Sequence, residues 1–145
     1  MIGDRLRLLR ENAGKEQYYI ANIINVARNT YTGYENNKTT PTIETLCTLA
    51  LFYNTSLDYI LGLSKSKKPY NKMRKYNKDT FRRNIKLIRH KLNYTQKLLA
   101  EQISCHRVTI ARYENGQAKI QIDFLINLSK LSKIPSDFIV GIITN

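Results

Sequence analysis

The feature that most constrains this chain is an internal repeat. Tyr34, Glu35 and Asn36 recur as Tyr113, Glu114 and Asn115, a shift of 79 positions. Held without gaps, the shift also lays Arg10 on Arg89, Gln17 on Gln96, Ala21 on Ala100, Ile24 on Ile103 and Arg28 on Arg107. Further on, Ile43, Leu46, Leu49, Asp58 and Gly62 fall on Ile122, Leu125, Leu128, Asp137 and Gly141. Apolar patterns repeat by chance, whereas polar identities kept in one register over about sixty positions do not. The 145 residues therefore read as one module used twice, each copy near the lower size at which a chain buries a self-sufficient core.

Between the copies lies LSKSKKPYNKMRKYNKD, with one proline, seven basic residues and one acid, and no helical or alternating apolar spacing. Such a stretch reads as a linker. The expected organisation is a domain over residues 1–64, a basic linker over 65–79 and a second domain over 80–145.

Apolar spacing in the first copy predicts five short helices. Ile2, Leu6 and Leu9 mark the first, and Ile20, Ala21 and Ile24 the second. Asn25 stands at the turn, where a left-handed residue is needed and Asn tolerates that conformation. The third runs from about Arg28 to Asn36, the fourth opens at Pro41 and Thr42, and the fifth holds Leu57, Ile60 and Leu61. The second copy repeats the scheme from Phe81, Ile85 and Ile88 to Phe138 and Ile139, with no strand-like alternation anywhere.

The net charge of +13 favours a polyanionic partner. Its placement is uneven: residues 1–62 hold six basic and six acidic side chains, whereas residues 80–145 hold eleven and four. No apolar run approaches the roughly 18 to 20 residues of a membrane span, and MIGDRLRLLREN lacks the apolar core of a secretory signal. A cytoplasmic chain without membrane contact is expected. Cys47 and Cys105 stand alone, without ligand spacing, so they read as reduced thiols, and neither a metal nor any cofactor is expected.

With the repeat and helices in place, QYYIANIINVARNTYTGYENNKTTP and TQKLLAEQISCHRVTIARYENGQAK both resemble the phage repressor and Cro helix-turn-helix family, the XRE-type regulators. The resemblance covers nearly all of the chain outside the linker. It implies an all-α fold of two tandem five-helix, lambda-repressor-like domains, in which the helix after the turn reads double-stranded DNA. Fifteen extended linker residues reach roughly 50 Å, beyond the roughly 34 Å between successive major grooves on one face.

A reading helix presents positions i, i+1, i+4 and i+5 along one strip. In the second copy these are Arg107, Val108, Ala111 and Arg112. Arginine bonds guanine O6 and N7 in a bidentate fork, and Val or Ala meets a thymine methyl, so a guanine-containing half-site is expected. The alternative is that both arginines are solvated surface charges. In the first copy the strip is Arg28, Asn29, Thr32 and Gly33. Asn29 suits adenine and Arg28 a guanine or phosphate, but Gly33 offers no side chain where Arg112 stands, and Glu16 replaces Thr95 at the start of the second helix. Gln17 and Gln96, as the resemblance implies, give an amide to a phosphate and buttress the reading helix; N-terminal capping is the competing role. Lys38, Gln117 and Lys119 are expected to fix register on the sugar-phosphate chain, and His106 is a weak phosphate candidate.

Glu35 and Glu114 resemble catalytic acids in isolation. In the resembled family they pair with Arg10 and Arg89 as buried ion pairs between the first and third helices, so a structural role is expected and an enzyme is not. Tyr18, Tyr19, Tyr31, Tyr34, Tyr53 and Tyr59 crowd the neutral copy. They are expected to pack its core with hydroxyls at the rim, or else to form a contact surface for another protein or a second copy of the chain. The apolar last segment, FIVGIITN, is a further candidate for dimerisation. The reading is thus a sequence-specific transcriptional regulator, a repressor of phage or mobile-element type. The alternative is an interaction adaptor in which only the second module and the linker hold DNA.

Overall fold

A computed structural model describes residues 1–144. The chain divides into two units, residues 1–73 and residues from 74 onward. The first contains α1 (Ile2–Asn12), α2 (Gln17–Ile23), α3 (Arg28–Glu35), α4 (Ile43–Tyr53) and α5 (Leu57–Leu61). The second contains α6 (Lys78–Lys91), α7 (Gln96–Ile103), α8 (Arg107–Glu114), α9 (Ile122–Ser132) and α10 (Ser136–Val140). No strand occurs among the described residues.

Side-chain oxygens start several of these helices. Thr42, Ser56 and Thr95 accept from the backbone N–H three residues on, and Asn77 accepts from both Asp79 and Thr80. The turn between α2 and α3 needs a left-handed residue, and Asn25 supplies it at φ 58°. In the second unit Ser104 does so at φ 62°, a conformation less natural to serine than to asparagine.

Each core forms where the helices turn their apolar stripes inward. Leu6, Ile20, Leu46, Leu49, Leu57 and Ile60 are fully enclosed in the first unit; Phe81, Ile85, Leu99, Ile110, Leu125 and Leu128 are enclosed in the second. The end of helix five is fixed in both by position 5 or its repeat partner. The Arg5 guanidinium donates to the Tyr59 and Ser64 carbonyls, and Asn84 donates to the Phe138 and Ile139 carbonyls.

Three expectations need amending. The basic segment between the copies is not a free linker. The Lys67 carbonyl accepts from the Ser56 N–H and the Thr55 hydroxyl, and Tyr70 donates to Asp58 at 2.7 Å. Arg74, farther on, donates its N–H to Ile142 O at 2.7 Å and its Nε to Gly141 O at 2.8 Å. Lysine-rich composition carries no signal for backbone bonds of this kind. Secondly, the apolar side chains of the last segment lie inside the monomer. Ile139, Val140, Ile142 and Ile143 are buried and Phe138 is half-buried, so core packing takes most of the segment's apolar surface. Thirdly, the tyrosines divide. Tyr31, Tyr34 and Tyr59 are core residues, and the Tyr31 and Tyr53 hydroxyls are buried rather than placed at the rim. Tyr18 and Tyr19 are exposed, with the Tyr19 and Phe52 rings 6.4 Å apart.

Candidate nucleic-acid interface

Helix α8 is anchored by Ile110, Tyr113 and Glu114, which face inward. The 3.6-residue period then turns Arg107, Val108 and Arg112 outward, with Ala111 half-buried on the same strip. Val108 is 59% exposed, an unusual place for an apolar side chain. Both arginines are exposed and lightly tethered: Arg107 Nη1 lies 3.4 Å from Gln96 Oε1, and Arg112 Nη2 lies 3.4 Å from Gln117 O. His106 is the exposed N-cap residue and makes no side-chain capping bond. Gln117 and Lys119 are exposed after the helix.

Helix α3 has the same construction, with Tyr31, Tyr34 and Glu35 inward and Arg28 and Asn29 outward. Thr32 is half-buried, and its hydroxyl bonds Gln17 Oε1 at 2.9 Å. Lys38 is exposed beyond the helix end. A Cβ at Gly33 would come within 2.8 Å of Thr39 Oγ1. The repeat partner of Thr39 is Ala118, so the arginine at 112 and the glycine at 33 each match the size of a neighbour that the motif alone does not reveal.

Behind each strip lies the same polar assembly. Arg10 clamps Glu35 through Nε to Oε1 at 2.6 Å and Nη2 to Oε2 at 3.2 Å, and Arg89 clamps Glu114 at 2.8 and 3.0 Å. The remaining guanidinium nitrogen closes the loop after helix one, on Lys15 O and Tyr94 O respectively, both at 2.9 Å. The Gln17 and Gln96 amides donate to the same carboxylates at 2.9 and 3.3 Å. Their oxygens accept from Thr32 and Arg107 on the reading helices. Each glutamine therefore ties the ion pair to the reading helix. It does not cap its own helix, since the N-cap residues are Glu16 and Thr95; only Thr95 makes a side-chain cap bond.

Burial by itself would raise the Glu35 carboxyl. Hydrogen bonds from Arg10 and Gln17, with the charge of Arg10, outweigh it and hold the group below the usual carboxylate range. The neighbouring hydroxyls move the other way: burial pushes Tyr53 up to about 12 and Tyr31 higher still. Ile110 and Ser132 occupy the matching places in the second unit, so this tyrosine pair belongs to the first unit alone. A gap-free reading of the repeat could have found it from the mismatch of Tyr31 with Ile110.

A helix-turn-helix family model matches the chain twice, over residues 6–60 and 85–139, in the register of the repeat. The HTH-type transcriptional regulator AnsR of Bacillus subtilis (strain 168) is 38% identical over 64 residues, covering 44% of this chain and 55% of that protein. The HTH-type transcriptional regulator ImmR of the same organism is 38% identical over 61 residues, covering 42% of this chain and 48% of its own length. An uncharacterized HTH-type transcriptional regulator, YobD, also from that organism, is 38% identical over 69 residues, covering 48% and 62%. The chain thus spans about half the length of the curated relatives it matches. With two modules of the same helical plan, each matched by the family model, the chain belongs to the helix-turn-helix family of XRE type, as two tandem copies.

Proposed function

We propose that the chain is a DNA-binding transcriptional regulator that reads major-groove half-sites with α8 and, more weakly, with α3. Its type is that of a phage or mobile-element repressor acting in the cytoplasm at the nucleoid. The observation that carries this reading is the outward strip Arg107, Val108, Ala111 and Arg112, exposed except for the half-buried Ala111, on a basic unit. Arg112 and Arg107 supply forks for guanine, and Val108 and Ala111 supply apolar contacts for thymine methyls. Gln117, Lys119 and His106 flank the strip as phosphate contacts, as Lys38 does beyond α3, where Asn29 suits adenine and Arg28 a guanine or phosphate. Tethering two modules makes the second encounter intramolecular, at about millimolar effective concentration, so one chain does what a dimer of single modules does.

A second reading is favoured by one observation: Gly33 leaves α3 without a counterpart to Arg112, while Tyr19 and Phe52 form an exposed aromatic pair and Tyr18 is exposed too. In that reading the first unit binds a protein partner, while the second unit and the basic segment between the copies hold DNA without much sequence preference. Selecting duplexes from a random pool separates the two. Enriched half-sites are expected from the first reading, binding without enrichment from the second, and no duplex binding at all refutes both.

A further inference from the structure

A cleft of about 350 Å³ opens on the second unit where the first half of α6 meets the start of α7 and the end of α8. Arg82, Arg83 and Lys86 line it, with Gln96, Asn115 and the Arg89–Glu114 pair. Arg82 is engaged: its Nη1 donates to Glu114 O at 3.2 Å and its Nη2 lies 3.7 Å from Asp79 Oδ1. Arg83 and Lys86 are exposed and make no hydrogen bond or ion pair among the described residues. Gln96 links the cleft to the reading strip, because its Oε1 accepts from Arg107 at the start of α8.

We propose that this cleft takes a backbone phosphate of the DNA beside the half-site read by α8, held by Arg83 and Lys86. The inference rests on the DNA-binding reading above. A duplex seated on the strip carries its backbone past Gln96, and a phosphate there meets two uncommitted cations and a third, Arg82, within one recess. Arginine supplies a fork and lysine a mobile ammonium, the two donors that suit phosphate oxygens.

The first unit lacks the device, which sharpens the assignment. Its residues at these positions are Gly3, Asp4 and Arg7. Gly3 lies so close to α3 that a Cβ would stand 2.4 Å from Tyr34 O, so no longer side chain fits, and Asp4 would repel a phosphate. The Arg7 guanidinium is already committed to Asn36 Oδ1 at 2.7 Å and Glu35 O at 3.4 Å. The clamp therefore accounts for part of the charge imbalance between the neutral first copy and the basic second.

The test compares the wild-type chain with Arg83→Gln/Lys86→Gln on operator and random duplexes over a range of salt. Lys130→Gln/Lys133→Gln, at and just after the end of α9 and outside the cleft lining, removes the same two charges and controls for net charge. The expected result is a salt slope lower by about 0.9, the share of the one phosphate lost, with every duplex weakened alike and base preference kept. A slope no lower than that of the Lys130/Lys133 control overturns the clamp while leaving the DNA reading intact. A wild-type chain indifferent to all duplexes overturns both. Titration with inorganic pyrophosphate distinguishes a small phosphorylated ligand: binding that the double variant abolishes, beside an unchanged duplex slope, overturns the backbone assignment.

Discussion

Replacing Arg89 with alanine strands a carboxylate, and the structure sets the scale of the consequence. Glu114 accepts from Arg89 Nε and Nη2 at 2.8 and 3.0 Å and from Gln96 Nε2 at 3.3 Å, and its side chain is only 3% exposed. Without the guanidinium, a nearly enclosed negative charge keeps one amide donor, and the Tyr94 carbonyl loses its partner as well. Breaking a buried pair on one side costs about 3 to 5 kcal/mol, against about 0.2 to 1 for an exposed pair. For a unit of this size each kcal/mol moves the melting midpoint by about 4 to 8 °C, so Arg89→Ala should lower the second unit's midpoint by at least about 12 °C. Residue-resolved amide exchange in the full chain is the assay, with the first unit as internal reference. Protection in α7 and α8 should fall at least about a hundredfold, as 3 kcal/mol requires. Arg89→Met/Glu114→Leu, which removes both charges, should recover most of the loss. A loss below about 1 kcal/mol in Arg89→Ala would refute the burial argument, since that is the behaviour of an exposed pair.

Other perturbations follow from the same geometry. The Glu35 carboxyl is held below its ordinary value of 4.5 in the folded state; its contribution is therefore complete above that value and disappears as pH falls through the lower folded one. Urea midpoints of the first unit measured downward from pH 5 should fall with acid, and Glu35→Gln should remove that part of the dependence. Serine in the left-handed region at 104 is strained relative to glycine, so Ser104→Gly should stabilise the second unit by about 0.5 to 1 kcal/mol, after allowing for glycine's freedom in the unfolded chain. Gly33→Arg/Thr39→Ala gives the first unit both the reading arginine and the room for it. It should strengthen binding to duplexes with guanine in the first half-site, measured by titration at fixed salt, whereas Gly33→Arg alone must displace the Thr39 hydroxyl.

The fold was legible because repeat and period reinforce one another. Tyr34-Glu35-Asn36 fixed the shift, and Ile43, Leu46 and Leu49 at helical spacing, repeated at Ile122, Leu125 and Leu128, fixed the helices. Asn25 marked its turn because few residues accept a positive φ; Ser104 gave no such signal, and only the repeat points to it. The outward strip of α8 was legible for the same periodic reason. What escaped were contacts that composition cannot encode. Lys67 and Arg74 look like solvated linker charges, yet their segment is held through backbone carbonyls. Gln17 gives no sign in the sequence that its amide bonds the Glu35 carboxylate. The apolar tail looks like an unpartnered face because sequence gives hydrophobicity without saying which side of the core receives it.

The central claim is that guanidinium groups on α8 read base edges, and duplex selection with Arg112→Ala tests it most directly. The wild-type chain should enrich a guanine at a fixed place in one half-site. Arg112→Ala should lose preference there alone, worth about 1 to 3 kcal/mol, while Lys119→Ala weakens all duplexes uniformly. Identical base preferences for the wild-type chain and Arg112→Ala, or a wild-type chain that enriches nothing, would contradict the account.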